Sequence, residues 1–170
     1  MIAGFPPIAA PDARVLVLGT VPSVRSLEVG RYYAHPRNAF WPIMEALFAG
    51  RAALDHAARV ELLHASRVAV WDVLAAAERP GSLDAAIVSA TAVPNDLPVF
   101  LRAHRDVGTI CFNGAAAERL FRAHISARLT GERHIAFMRL PSTSPANAAM
   151  SFEAKLAAWA VVRDVAEERG

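Results

Sequence analysis

Short apolar runs alternate along this chain with longer segments whose apolar residues recur every three or four positions, and the two periods predict different elements. Residues 14–19 read Arg-Val-Leu-Val-Leu-Gly. Four consecutive aliphatics need cover on both faces, which predicts a buried strand. Residues 67–73, rich in β-branched side chains, predict a second strand, 109–112 a third and 135–140 a fourth. Helical spacing covers 38–48, 54–66, 95–104 and 115–127. Asn95 or Asp96 supplies the cap of the third of these helices. A last helix begins at Ser151, with Glu153 in its first turn, where the helix dipole favours an acid. Strand and helix alternating four times predict an α/β fold, a parallel sheet with helices on both faces. Such folds place their sites at the carboxyl ends of the strands.

Composition narrows the class. A chain of 170 residues suits one domain, 1–170, with a single core. Hydrophobic residues at 54% against 20% charged exclude a disordered chain. The formal charge is only +2, so contact with nucleic acid has to come from a local patch rather than from the overall field. Cys111, the one cysteine, excludes an internal disulfide. No basic and apolar leader opens the chain and no apolar run approaches a membrane span, so a cytoplasmic monomer is expected.

The segments after the strands carry the candidate chemistry. Gly19-Thr20-Val21-Pro22-Ser23 follows the first strand. It is either a plain turn or a loop that brings backbone amides and hydroxyls to a phosphate. Tyr32-Tyr33-Ala34-His35-Pro36-Arg37-Asn38-Ala39-Phe40-Trp41 packs four aromatics, a histidine, an arginine and an asparagine into ten residues. Phe40 and Trp41 could be core residues opening a helix that Asn38 caps, but that reading leaves Tyr32, Tyr33 and His35 unexplained. Trp71-Asp72-Val73 ends the second strand, with Arg79 and Gly81-Ser82-Leu83-Asp84 beyond it; a buried tryptophan and a capped helix start would account for them. Asn113-Gly114 follows the third strand, where Asn113 either faces a ligand or caps the next helix. Pro141-Ser142-Thr143-Ser144-Pro145-Ala146-Asn147 follows the fourth, a hydroxyl-rich loop stiffened by two prolines. Metal-ligand spacing, a phosphate-binding P-loop, a dinucleotide fingerprint and a nucleophile elbow are all missing from the sequence. The expected site positions a neutral ring and a water without metal or cofactor.

From about Val15 to about Trp159 these motifs, in this order, resemble the hypoxanthine-DNA glycosylase branch of the uracil-DNA glycosylase superfamily. The resemblance implies a three-layer α/β/α sandwich around a four-stranded parallel sheet. It implies a monofunctional DNA glycosylase that flips a deaminated base, hypoxanthine first, out of double-stranded DNA and hydrolyses its N-glycosidic bond. Asn38 then matches the catalytic asparagine that orients the attacking water, with His35 as a second catalytic candidate. Phe40 matches the aromatic that stacks on the base and Asn113 the reader of its edge, with Trp71, Tyr33 and Val21 around them. Gly19, Thr20, Pro22 and Ser23 match the first-strand loop beside the DNA. Ser142, Thr143, Ser144, Pro145 and Asn147 match the loop that enters the duplex, and Arg37 and Arg25 add charge toward phosphates. Two departures stand out. Val21 occupies a place where many relatives carry a water-positioning Asp or Asn, and Leu140-Pro141 replaces the histidine of uracil-specific relatives. The rival readings are the same enzyme acting on uracil or on a G·T or G·U mismatch, a nucleic-acid-binding module without activity, and a serine hydrolase built on Ser23 and His35.

Overall fold

The aliphatic runs do become the central sheet. The computed structural model describes residues 1–131 and 133–168. In chain order the elements are β1 (Ile2–Ala3), β2 (Val15–Gly19), α1 (Val24–Val29), α2 (Phe40–Phe48), α3 (His56–Ala65), β3 (Val68–Asp72), β4 (Leu74–Ala77) and β5 (Val93–Pro94). Then come α4 (Leu97–Ala103), β6 (Thr109–Asn113), α5 (Ala115–His124), β7 (Ala136–Leu140) and α6 (Phe152–Glu167). β3, β2, β6 and β7 lie side by side in that order, all parallel.

Strand periodicity divides the core into two layers. Leu16 and Leu18 point to one face of β2 and pack with Ile110 and Phe112 of β6, Phe100 and Leu101 of α4, and Leu120 and Phe121 of α5. Val15 and Val17 point to the other face and pack with Phe40, Ile43 and Met44 of α2, Leu63 of α3, and Trp159 and Val162 of α6. All five residues of β2 are buried, as an aliphatic run covered by helices on both sides requires. The result is the three-layer α/β/α arrangement. β7 is the edge, and its alternate residues Phe137 and Arg139 face solvent. Arg139 Nε is clamped to Glu118 Oε2 at 2.8 Å, a charged cover on an open edge. Cys111 is buried in the second layer as a free thiol, its pKa pushed up to about 12 by burial.

The helix ends follow the capping rules. Asp96, not Asn95, caps α4 by accepting from Val99 N at 3.2 Å, while Asn95 Nδ2 donates instead to the Asp72 carbonyl at 2.8 Å. Ser151 caps α6 through Ala154 N. α2 starts at Phe40 rather than 38, and α5 stops at His124 before a short 3-10 turn, Ser126–Arg128. Two features lie outside the predicted set. One is a small antiparallel sheet of order β1-β4-β5, built from strands of two to four residues with an alanine-rich centre. Such strands are too short and too weak in β-propensity to leave a period. The other is α1, capped by Ser23 and closed by Gly30 at φ 76°. Glycine reaches that left-handed C-terminal conformation without a Cβ penalty.

The chain runs from β2 outward to β3 and then crosses back over β2 to β6. The order therefore reverses between β2 and β6, and the crevice outside their carboxyl ends is where open α/β sheets bind ligands.

Candidate active site

A cavity of about 90 Å³ opens at that reversal. One water needs roughly 10–15 Å³ by this kind of measure, so the space is wide enough for a larger group. Of the residues given a site role in the sequence, Gly19, Thr20, Val21, Pro22, Ser23, Tyr33, Asn38, Asn113, Ser142, Thr143 and Ser144 line it. Four separate segments thus converge on one space.

Tyr33 supplies the aromatic wall. Its backbone has φ 52°, a left-handed conformation that costs a tyrosine energy and survives only where packing enforces it. Its ring lies 4.3 Å from that of Phe40, tilted by 31°. Phe40, expected to stack on a base, is fully buried beneath Tyr33, in T-shaped contact with Trp41 and Trp159, and does not line the cavity. The first residue of α2 turns inward, and the loop residue seven positions earlier covers it. Trp71 is likewise displaced from its expected place. It packs on Phe100 and donates through Nε1 to the Phe5 carbonyl at 3.1 Å, away from the cavity.

Asn38 sits at the rim with its Oδ1 accepting from Phe40 N at 3.0 Å. This turn comes one residue ahead of the helix cap position, Ala39, which has no side-chain bond of its own. A carbonyl oxygen has a second lone pair, and Asn38 Nδ2 has no protein partner among the described residues. His35 lies outside this cavity, in an adjoining one of about 260 Å³ that also touches Tyr33, Asn38, Arg31, His56 and Arg59. Its Nδ1 accepts from Arg37 N at 3.0 Å. His56 there is held below its ordinary pKa by burial and by Arg31 and Arg59.

The opposite wall is a scaffold. Asn113 Nδ2 donates to Thr143 Oγ1 and its Oδ1 accepts from Thr143 N, both at 2.9 Å. Half of the amide's bonding capacity is thus committed to the loop after β7. The N-terminal residue of α5 is preceded by Gly114, so Asn113 does not cap it. The Thr143 carbonyl accepts from Ala39 N at 2.9 Å and ties that loop to the start of α2. Ser142 Oγ accepts from Ser144 N, Ser144 Oγ from Ala146 N, and Asn147 Nδ2 donates to the Ser142 carbonyl. These bonds shape the loop while each serine still has an O–H to donate. Arg37, Pro145 and Asn147 do not line the cavity. Arg25 sits on α1, paired with Glu28 at 3.3 Å.

Below the first-strand loop lies a polar group that strand-end reasoning only brushed past. Thr20 Oγ1 donates to Asp84 Oδ1 at 2.7 Å, so this hydroxyl faces an acid rather than a phosphate. Ser23 caps α1 through Ser26 N. Arg79 is buried and donates to the carbonyls of Gly81 and Pro22 at 2.7 and 2.8 Å. Asp72 ends β3 in register with Gly19 and is 4% exposed. Its Oδ2 and the Tyr33 hydroxyl are buried without hydrogen-bond partners. Burial first, then Asp84, push the Asp72 pKa up to about 7, with Arg79 acting the other way. Burial and then Asp72 push the Tyr33 phenol far above its ordinary range. Asp72, Arg79, Asp84, Ser26, Ser82 and Tyr32 also line the cavity. The sequence signal for Asp72 was its place at a strand's carboxyl end, beside the more conspicuous Trp71. Among the described residues no cluster of His, Cys, Asp or Glu is arranged to hold a metal, and no helix is long and apolar enough to cross a membrane.

The sequence model of the uracil DNA glycosylase superfamily matches residues 6–163. The chain belongs to that superfamily. Two relatives, each named hypoxanthine DNA glycosylase, come from Methanosarcina. The protein from Methanosarcina barkeri is 32% identical over 85 residues, 49% of this chain and about half, 54%, of its own length. That from Methanosarcina acetivorans is 30% identical over 115 residues, 67% of this chain and 72% of its own. A solution NMR structure of a candidate uracil DNA glycosylase from Methanosarcina acetivorans superimposes with a TM-score of 0.77 at 27% identity, covering 98% of both chains. The superfamily's sandwich is therefore the frame in which the cavity, the Tyr33 wall and the loop after β7 are set.

Proposed function

We propose that the protein is a monofunctional DNA glycosylase that removes a deaminated base, hypoxanthine by preference, from double-stranded DNA. The observation that carries this reading is the convergence of an aromatic wall, a carboxamide at the rim and a hydroxyl-lined loop on one cavity at the sheet's reversal point, in a chain of this superfamily. The names of the two relatives support the choice of base.

Chemistry on a base requires that it leave the stack, at a cost of a few kcal/mol that is least for a mispair. Stacking on Tyr33 offsets roughly 1–3 kcal/mol of this. The role first read into Phe40 thus passes to the ring that covers it, and Phe40 holds that ring in place. Ser142 and Ser144 donate to phosphates beside the lesion from a loop whose backbone is already fixed. The glycosidic bond then breaks toward an oxocarbenium-like sugar. Asn38 is no base, but the open lone pair of Oδ1 orients a water at the anomeric carbon, and that is catalysis by positioning. Lys155, the chain's one lysine, is on α6 and outside the cavity, so no lysine stands ready for a Schiff-base strand cleavage.

The test is a single-turnover assay on duplexes carrying hypoxanthine, uracil or thymine opposite each normal base, with alkali converting abasic sites to breaks. Release of hypoxanthine is the expected result. Release of uracil alone replaces the substrate and keeps the chemistry, and no release from any duplex by folded protein refutes the reading.

A further inference from the structure

Asp72 is a buried titratable group of the cavity that this scheme leaves without work. It is held firmly. β3 pairs it with Gly19, and Asn95 Nδ2 grips its backbone carbonyl at 2.8 Å. Its Oδ2 is enclosed by protein and has no partner. Buried polar atoms are nearly always bonded, and an orphan in a binding cavity points to a group that arrives with the ligand. Glycine at position 19 lets the Asp72 carboxyl and the Tyr33 hydroxyl pack against the end of β2. A Cβ there would stand 2.5 Å from Asp72 Oδ1 and 2.9 Å from the Tyr33 hydroxyl, closer than atoms tolerate.

Charged and titratable neighbours decide the state of this carboxyl. Asp84, in the turn after β4, opposes its ionisation. Arg79 favours ionisation, but its guanidinium donates to the carbonyls of Gly81 and Pro22 and forms no ion pair with Asp72 among the described residues. Tyr32 and Tyr33, from the loop before α2, are both phenols kept neutral by burial. Tyr32 bonds the carbonyls of Phe5 and Pro6. Burial and Asp84 outweigh Arg79, and the carboxyl holds its proton up to about pH 7.

We propose that the Asp72 carboxyl, which lines the cavity, is a further catalytic group that donates a hydrogen bond to the ring carbonyl oxygen of the departing base. The proposal rests on the glycosylase reading above. A neutral carboxyl offers a donor and an acceptor side by side, which fits a ring edge where C=O adjoins N–H, as in hypoxanthine, uracil and thymine. When the C1′–N bond breaks, its electron pair stays on the base and negative charge grows on the carbonyl oxygen. The water oxygen bonds C1′ and its proton leaves to solvent. Asp72 keeps its own proton throughout, and its hydrogen bond strengthens as the charge develops, the condition for selective stabilisation of the transition state. Ionised Asp72 would set a second negative charge against the leaving base.

The experiment measures cleavage of a hypoxanthine·thymine duplex from pH 5.5 to 9.5, with protein below saturation so that the profile follows the free protein. The wild-type rate is expected to fall tenfold per pH unit above about 7. Asp72→Asn keeps a neutral donor and acceptor in the same shape, so its ratio of rates between pH 6 and pH 9 should approach one. Asp72→Ala should cleave about 10²-fold more slowly at pH 6, the usual loss for one such donor. An Asp72→Asn profile with the wild-type alkaline fall, or an Asp72→Ala rate equal to wild type in folded protein, overturns the proposal. A carbon-13 titration of the Asp72 carboxyl in the free protein separates the two layers. An ordinary carboxylate pKa in a protein that does cleave DNA defeats this proposal alone. No cleavage of any duplex by wild type defeats the glycosylase reading and, with it, the ligand assigned to Asp72.

Discussion

Replacing Asp72 by asparagine should stabilise the protein at alkaline pH and leave it nearly unchanged in acid. The reason is linkage between protonation and folding. In the unfolded chain the carboxyl ionises near its ordinary value of 3.8, and in the folded protein at about 7. Between those values the folded state binds more protons than the unfolded state, so stability falls as pH rises through this window and levels off above it. At about 1.36 kcal/mol per pH unit, ionising Asp72 in place costs the folded state up to about 4 kcal/mol by pH 8. The residue is 4% exposed, so solvent does little to screen that cost. Asparagine has the same shape and no charge, and the partnerless position at Oδ2 remains in either form. For a chain of this length about 1 kcal/mol corresponds to roughly 2–4 °C in Tm.

The assay is a pair of thermal melts across pH 4.5 to 9, wild type against Asp72→Asn. The two should differ by only about 1 kcal/mol near pH 4.5, where the unfolded carboxyl has begun to ionise, and by about 10 °C at pH 8, with the variant higher. Parallel curves at all pH values would refute the reasoning, because they would mean that Asp72 ionises as readily in the folded protein as in the unfolded one. A variant less stable at pH 8 would instead mean that the carboxylate has a favourable partner. Either result removes the physical basis for a proton-carrying group on the cavity floor. Higher stability with altered catalysis is the signature of a side chain kept for function at the expense of the fold.

Asn38→Ala should slow hypoxanthine release about 10²-fold or more while binding of the same duplex in a gel-shift titration changes little, since water positioning enters only at the chemical step. Gly19→Ala should lower Tm by an amount corresponding to about 1–3 kcal/mol, because the added methyl has to displace Asp72 or Tyr33. It should also reduce cleavage, and a silent variant would show that the floor of the cavity yields. Tyr33→Leu and Phe40→Leu should separate stacking from support. The first should weaken binding to the hypoxanthine duplex about tenfold or more with a small change in Tm. The second should lower Tm at pH 7 through the lost core contacts. Equal losses of binding without loss of stability would return the stacking role to Phe40.

The layered fold was legible because it follows from two periods. Val15 to Leu18 can be buried on both faces only in a parallel sheet covered by helices, and the caps at Asp96 and Ser151 mark helix starts by their own chemistry. The convergence of the strand-end loops was legible for the same reason, since topology alone brings Gly19, Asn113 and Ser142 together. What periodicity does not carry is the choice between adjacent side chains. Tyr33 and Phe40 both looked suited to face a base, and the sign of one backbone angle, φ 52° at Tyr33, decides which ring faces the cavity and which supports it. Trp71 and Asp72 are neighbours on β3, so they point to opposite sides of the sheet, and only Asp72 lines the cavity.

Three residues of the cavity break local rules. Tyr33 is left-handed without being glycine, Asp72 carries a buried carboxyl oxygen without a partner, and Gly19 ends a strand whose other four residues are all bulky aliphatics. Each weakens the fold by itself, yet all three meet at one point: Gly19 and Asp72 are in register across β2 and β3, and the Tyr33 hydroxyl lies against Gly19. Rule-breaking that is scattered marks tolerance, whereas rule-breaking that converges marks a constraint other than folding. The floor of the cavity, more than its better-marked loops, is therefore where the specificity of the proposed glycosylase activity should be sought.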